Sequence, residues 1–337
     1  DKIFEANLRL EKFFKNHGYP FVKMEVPDGK VNKDKKALSI VFKATLNGLR
    51  KYAPIHINGV NTVPERYVRN RIIWRQGEIY DDRQVERTKR KLIDSELFSS
   101  VSILPGDVHG NEETPLKIEL VEAPPRLIGV GVDYTTSQGI GGRFTWEHQN
   151  FLGGAESLKL EAKGSKKQAK SRISFEVPDV FIPDLNFLTW LEARYDNTRA
   201  YKGHVYDAYA GFNYEYLESV RVFLGLEYER SKLTRIITQR KNYFSIPLSA
   251  VVDMRNDVLN PYKGWRIAGE ATPYFGSLGQ SNKMLRLLLN ANYYLRIIRK
   301  DILVIGFWGR AGQIGLIKNA DIPLDKRFYS GGLNSVR

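Results

Sequence analysis

The side chains best suited to catalysis are few and scattered in this 337-residue sequence. Its 5 histidines, His17, His56, His109, His148 and His204, form no close pair and no HxH or HExxH spacing, so a zinc centre has no ligand set. With 0 cysteines there is no disulfide, no thiolate nucleophile and no thiolate metal site. Serines and aspartates are plentiful, yet none stands in a nucleophile elbow, and no glycine-rich loop is spaced to cradle a phosphate. No catalytic, cofactor or metal site is expected. His148 shares its parity with Phe144 and Trp146, where contact with a rim or a headgroup suits it better than proton transfer.

What remains is the chemistry of the backbone. Asp253-Met-Arg255-Asn256-Asp257, followed by Asn260-Pro261-Tyr-Lys-Gly264, supplies Asn and Asp to bond their own main chain, a proline with a fixed angle and a glycine to leave a turn. A structural turn and a role in gating or loop docking both fit this stretch. Trp265 follows it as a candidate interfacial anchor. The segment Leu127–Tyr134 alternates Gly129 and Gly131 with Val130 and Val132. Glycines on one face of a strand relieve crowding or allow close backbone approach and mobility.

Strands must carry both motifs. Leu158, Leu160 and Ala162 alternate with Ser157, Lys159 and Glu161, and Ile173, Phe175 and Val177 with Arg172, Ser174 and Glu176. The same holds for Tyr206, Ala208, Ala210, Phe212 and Tyr214 against Asp207, Tyr209, Asn213 and Glu215. A period of two gives a sheet with one apolar and one polar face. Repeated through segments of about ten residues, it predicts an antiparallel membrane barrel with a polar interior. The series runs 127–135, 141–149, 155–164, 170–178, 187–197, 203–215, 219–230, 242–254, 264–275, 283–298 and 301–312. Pro247 and Pro273 fall inside segments, where each removes a ladder bond unless the pairing is irregular there. Eleven segments is an odd number, so further strands are expected to close the barrel. No apolar run reaches the roughly 18 residues of a membrane helix. The net charge of +14 falls on strands and turns without a concentrated patch, which suits anionic headgroups or a charged lumen and gives no nucleic-acid footprint.

The first 125 residues differ in kind. Ile3, Leu8, Leu10, Phe13 and Phe14 form a helical stripe closed by Gly18, followed by strands with Val22, Met24 and Val26, then Leu38, Ile40, Phe42 and Ala44, joined by a turn through Asp28-Gly29 and 32–36. From Tyr52 the order is a strand at Ile55 and Ile57, a helix with Thr62 and Glu65 at capping-box spacing, a second helix from Asp81 or Asp82, and strands at Val101–Ile103 and Leu116–Leu120. Helix, strand, strand therefore occurs twice, an internal repeat whose first copy lacks its opening strand and helix.

This repeat followed by a strand series resembles the Omp85 superfamily. Gly129–Tyr134 through Gly139, Trp146–Asn150 and Gly153-Gly154 resemble the first barrel hairpin of the TamA family more than that of the BamA family, and the Asp253–Gly264 stretch resembles a superfamily signature at a periplasmic turn. Gly331, Gly332, Val336 and Arg337 resemble the start of the motif on the sixth extracellular loop, without its following glycine and aromatic. The resemblance implies N-terminal α/β POTRA repeats, partial in 1–50 and complete in 51–123, then residues 126–337 as the N-terminal part of a β-barrel of sixteen strands, about eleven of them present. It implies a protein of the Gram-negative outer membrane, with a signal peptide in its precursor and its POTRA domains in the periplasm. The work implied is insertion and assembly of outer-membrane proteins, autotransporters especially, through a seam at the first strand (Leu127, Gly129, Val130, Gly131, Tyr134). Implied partners are unfolded outer-membrane or autotransporter clients, a TamB-like periplasm-spanning protein and outer-membrane lipids, with no cofactor. Arg337 would reach into the lumen toward Glu192, Asp196, Glu227 or Glu270. A BamA-type insertase and a two-partner secretion pore share these features. A passive porin or structural barrel would share only the strands.

Overall fold

The structure is a computed structural model that describes residues 2–32, 37–106, 112–136, 139–198, 200–236, 238–276, 283–298, 303–316 and 322–328. The chain divides into two compact units, Asp1–Pro124 and Pro125–Arg337.

The first unit opens with α1 (Lys2–Lys15), then β1 (Lys23–Met24), β2 (Asp28–Asn32), β3 (Ala37–Val41) and β4 (Ala44–Thr45). The first strand expected here is shortened to β1, the second is broken into β3 and β4, and Asp28-Gly29, expected as a turn, begins β2. Pro27 has no N–H for the ladder, so pairing lapses between Met24↔Ala44 and Asp28↔Val41.

The next elements are β5 (Lys51–Asn58), α2 (Glu65–Asn70), α3 (Asp82–Asp94), β6 (Phe98–Pro105) and β7 (Glu113–Glu122), in the strand-helix-helix-strand-strand order read from the sequence. The sheet order is β5-β7-β6, with β7 parallel to β5 and antiparallel to β6. Val68, Leu92, Leu116 and Ile118 are fully enclosed, and Tyr52 stacks on Trp74 at 5.1 Å. The Tyr52 hydroxyl donates to Asp81 O (2.8 Å) and accepts from Asp81 N (2.9 Å), and burial pushes its ionisation far up. The capping box at Thr62 is not formed. The residue flanking α2 is Pro64, without a side-chain cap, and Thr62 Oγ1 instead donates to Glu122 Oε2 (2.6 Å). Glu122 Oε1 accepts from the amides of Asn61, Thr62 and Val63 at 2.7 to 2.9 Å. Burial alone would raise this carboxyl, but the bonds from the Thr62 hydroxyl and those amides hold it at about 2.

The second unit is a meander of β8 (Arg126–Thr135), β9 (Gly139–Gln149), β10 (Ser157–Ser165), β11 (Gln168–Val177), β12 (Leu185–Asn197), β13 (Lys202–Leu217), β14 (Val220–Thr234), β15 (Thr238–Ser245), β16 (Leu248–Asp253), β17 (Gly264–Gly276), β18 (Lys283–Ile298) and β19 (Leu303–Leu316). All pairings in this sheet are antiparallel, and its edges are β8 and β19. The expected segment 242–254 is two strands, β15 and β16, both lying between β14 and β17. Pro247 causes the break, while its carbonyl still accepts from Gly225 N (3.1 Å) and Pro273 O accepts from Ile246 N (3.1 Å). Register keeps the faces separate: Leu160 lies opposite Ile173 and Glu161 opposite Arg172, so one face of the sheet is mainly apolar and the other carries the carboxylates and their partner cations.

Candidate functional site

Strand β8 pairs with β9 through ten registered residues, from Arg126↔His148 to Thr135↔Gly139, and its other side has no strand partner among the described residues. Leu127, Gly129, Val130, Gly131 and Tyr134 all lie on this edge. Ile128, Val130, Val132 and Tyr134 face the apolar side and are 68 to 80% exposed, whereas Gly129 and Gly131 face the polar side opposite Thr145 and Arg143. A Cβ added at Gly129 would approach Thr145 Cβ at 3.7 Å, and one at Gly131 would approach Arg143 Cβ at 3.9 Å. Both are ordinary contacts, so relief of crowding does not account for these glycines. What they change is cohesion: without side chains, β8 makes fewer cross-strand contacts, and a glycine strand is weaker.

The polar face is a charge network. Glu192, 5% exposed, receives Lys170 Nζ (2.6 Å), Arg172 (2.5 Å) and Arg194 (3.8 Å), and Arg194 also meets Asp196 at 2.9 Å. Tyr209 stacks on Trp190 at 3.7 Å, with the Arg172 guanidinium 4.9 Å from the Trp190 ring. Gly211 and Gly225 make room for Tyr209: a Cβ on either would come within 2.5 Å of its phenol end. Glu227 accepts from Ser245 Oγ (2.9 Å) and Glu270 from Arg286 (2.8 Å). Each of the four acids named from the sequence as a partner for Arg337 thus already has a local partner. Gly331, Gly332, Val336 and Arg337 lie outside the described residues.

A different cation reaches this face from the same C-terminal stretch. Segment 322–328 packs on it, with Leu324 buried beside Val205, Leu233 and Tyr201. The Phe328 ring covers Gly312, where a Cβ would come within 2.4 Å of it. Lys326 Nζ bonds Glu229, a buried carboxylate 97 residues away, lies 3.3 Å from Asp325 Oδ2, and sits 5.3 Å from the Tyr274 ring. Sequence reasoning passed over Glu229 and Lys326. The one available signal was the polar parity that Glu229 shares with Glu227 on β14.

The turn after β16 satisfies itself. Arg255 pairs with Asp253 at 2.6 and 2.8 Å. Asn256 Oδ1 accepts from Tyr262 N (3.0 Å) and Lys263 N (2.8 Å), and Asp257 Oδ1 from Leu259 N (2.8 Å) and Asn260 N (2.7 Å). The Asn260 and Leu259 amides hold the Asp257 carboxyl below its usual range. Pro261 lies between these bonds. Gly264 has φ +108°, and a Cβ there would lie 2.2 Å from Met254 O, so only glycine fits. These contacts account for the motif as a turn. Trp265 comes next on the apolar face, opposite Tyr293.

Among the described residues no group of three or more acidic or imidazole side chains could hold a metal ion, and no helix is long and apolar enough to cross a membrane. The pattern of the Omp85 superfamily domain matches residues 150–337. The chain belongs to the Omp85 superfamily. It is a protein of the Gram-negative outer membrane, with its POTRA-like N-terminal region in the periplasm. It is 22% identical over 97% of its length to the outer membrane protein assembly factor BamA of Nitratidesulfovibrio vulgaris, of which it spans 42%. In fold it is similar to BamA from Haemophilus ducreyi lacking POTRA domains 1–3 (TM-score 0.70, 17% identity, 100% of this chain and 68% of that one) and to CdiB from Acinetobacter baumannii (0.54, 15%, 99% and 63%). Crossing by strands, such a protein turns its exposed apolar face to lipid.

Proposed function

We propose that this chain is part of a BamA-type assembly factor that inserts outer-membrane proteins by pairing a client strand with the edge of β8. The observation that carries the reading is β8 itself: an edge strand among the described residues, with two glycines that space does not require and that weaken its pairing. Backbone addition to such an edge recognises any β-strand without reading its side chains, which suits clients of varied sequence. Membership of the superfamily and the likeness, over 97% of this chain, to part of an assembly factor support it. In this reading residues 1–50 are a partial and 51–123 a complete POTRA domain, and 126–337 are the start of a barrel with the polar face as lumen.

A TamA-type role in autotransporter assembly, with a TamB-like partner, rests on the first-hairpin motifs alone. The second reading is a two-partner secretion pore, favoured by the fold shared with CdiB over 99% of the chain. Reconstitution of the full-length protein into liposomes separates the three. Single cysteines at Gly129 or Val130, unambiguous in a chain with 0 Cys, should crosslink to the terminal strand of an inserting client. A client delivered into the vesicle lumen without crosslinking would instead establish the secretion pore. Crosslinks formed only by autotransporter strands would establish the TamA type.

A further inference from the structure

The apolar face changes character at one end of three strands. His204 on β13, Arg230 and Lys232 on β14 and Arg240 on β15 share the parity of Leu224, Leu226 and Phe244 and are all exposed. In register, His204 lies opposite Lys232 and Lys232 opposite Arg240, while one row below Tyr206 lies opposite Arg230 and Arg230 opposite Asn242. Two cations directly opposed on a sheet repel, and a Lys or Arg on a lipid face costs energy that falls toward zero only at the interface. Among the described residues none of Arg230, Lys232 and Arg240 has an acidic partner. The reason is parity: Glu192, Asp196, Asp207, Glu215, Glu227 and Glu229, the carboxylates of β12 to β15, all fall on the opposite face.

The depth of the cluster identifies what meets it. β8 enters at Arg126 directly after the periplasmic region, and the strands alternate in direction, so the end of β12, the start of β13, the end of β14 and the start of β15 are at the cell-surface side. Lys232 is two residues from the end of β14 and His204 two from the start of β13. Tyr206 and Tyr228 lie between these cations and the leucines, as an interfacial aromatic belt does, and Tyr195 is 4.9 Å from His204. The cations therefore sit at headgroup level. A groove of about 1140 Å³ joins them to an apolar floor of Leu160, Ile173 and Leu191.

We propose that this face binds a phosphorylated lipid of the outer leaflet, its phosphate oxygens on Arg230, Lys232 and Arg240 with Asn242, and its acyl chains along the apolar floor. Two guanidinium groups and an ammonium around one anion give charge-assisted, partly bidentate bonds, and the anion removes the repulsion that the bare row carries.

The test uses the full-length protein in nanodiscs, titrated with fluorescent lipopolysaccharide and with its dephosphorylated form. The substitutions Arg230→Gln, Lys232→Gln and Arg240→Gln together should weaken binding of the phosphorylated lipid at least tenfold, and the dephosphorylated lipid should bind the parent as weakly. Lys163→Gln, Lys166→Gln and Lys167→Gln remove the same charge elsewhere and should leave binding unchanged. Heat-modifiable migration checks folding, and Arg240→Gln alone, a milder change, should weaken binding severalfold. Equal binding by the parent, the Arg230/Lys232/Arg240 triple variant and Arg240→Gln, or equal binding of the two lipids, overturns the proposal. So does displacement of the lipid by inorganic phosphate at equimolar concentration, which would make the row a site for free anions.

Discussion

Lys326 is predicted to latch segment 322–328 onto the polar face, and its removal should release that segment. Lys326→Met keeps the stem and deletes the charge, leaving Glu229 buried without its cation. Stripping one partner from a buried pair costs about 3–5 kcal/mol, and opposing release is the burial of Leu324, worth about 1.5–3 kcal/mol. Undocking lets Glu229 regain water, so the docked population should fall by roughly two orders of magnitude at the lower end of that range. The assay places a cysteine at Leu324, which is 4% exposed, in a chain without other thiols, and times its reaction with a membrane-impermeant maleimide. Lys326→Met should label about a hundredfold faster. Glu229→Gln and Asp325→Asn with Lys326→Met remove the cation and both carboxylates it meets and should recover most of the protection, because replacing buried charges by neutral groups is close to neutral. Labelling at the parent rate in Lys326→Met, or equally fast labelling in the triple variant, would refute the latch.

Other outcomes follow from the same contacts. Glu122 titrates near 2 when folded against 4.5 unfolded, so the support it gives the 61–63 turn is complete above about pH 4.5 and is lost as pH falls toward 2. Discounted for solvent screening, that support is about 1–2 kcal/mol. Glu122→Gln should accelerate amide exchange of Asn61, Thr62 and Val63 at pH 7 by roughly tenfold, and an unchanged exchange pattern would discount the carboxylate. Gly264→Ala forces φ +108° on an L-residue and a clash with Met254 O; a loss of about 2–3 kcal/mol should appear as a lower yield of heat-modifiable, folded protein. Gly129→Ala with Gly131→Ala adds Cβ atoms that meet only ordinary contacts and should strengthen β8–β9 pairing, leaving folding intact while slowing client insertion severalfold. Unchanged insertion kinetics would argue against β8 as the entry edge.

Much of this was legible in the chain because a strand's period of two fixes which face each side chain takes. The alternation around Leu160 and Glu161 told the two faces apart before any pairing was known, and the Asp253–Gly264 stretch read as a turn because its bonds are local. Local spacing misled where a distant partner won: Thr62 had the spacing of a helix cap, yet its hydroxyl serves Glu122, 60 residues on. Pro247 signalled irregularity, and the pairing converted it into a break between two strands.

The sequence by itself therefore determined most of the strand series after Pro125, the two faces of those strands and the order of the elements in residues 51–123. Only the tertiary structure decided that Lys326 meets Glu229 while Glu192 and Glu270 are taken by neighbouring cations, that space does not demand Gly129 and Gly131, and that Arg230, Lys232 and Arg240 form one row. Parity is a property of each strand's own backbone. Register between strands depends on pairing across the whole sheet, and it alone sets which charges lie side by side.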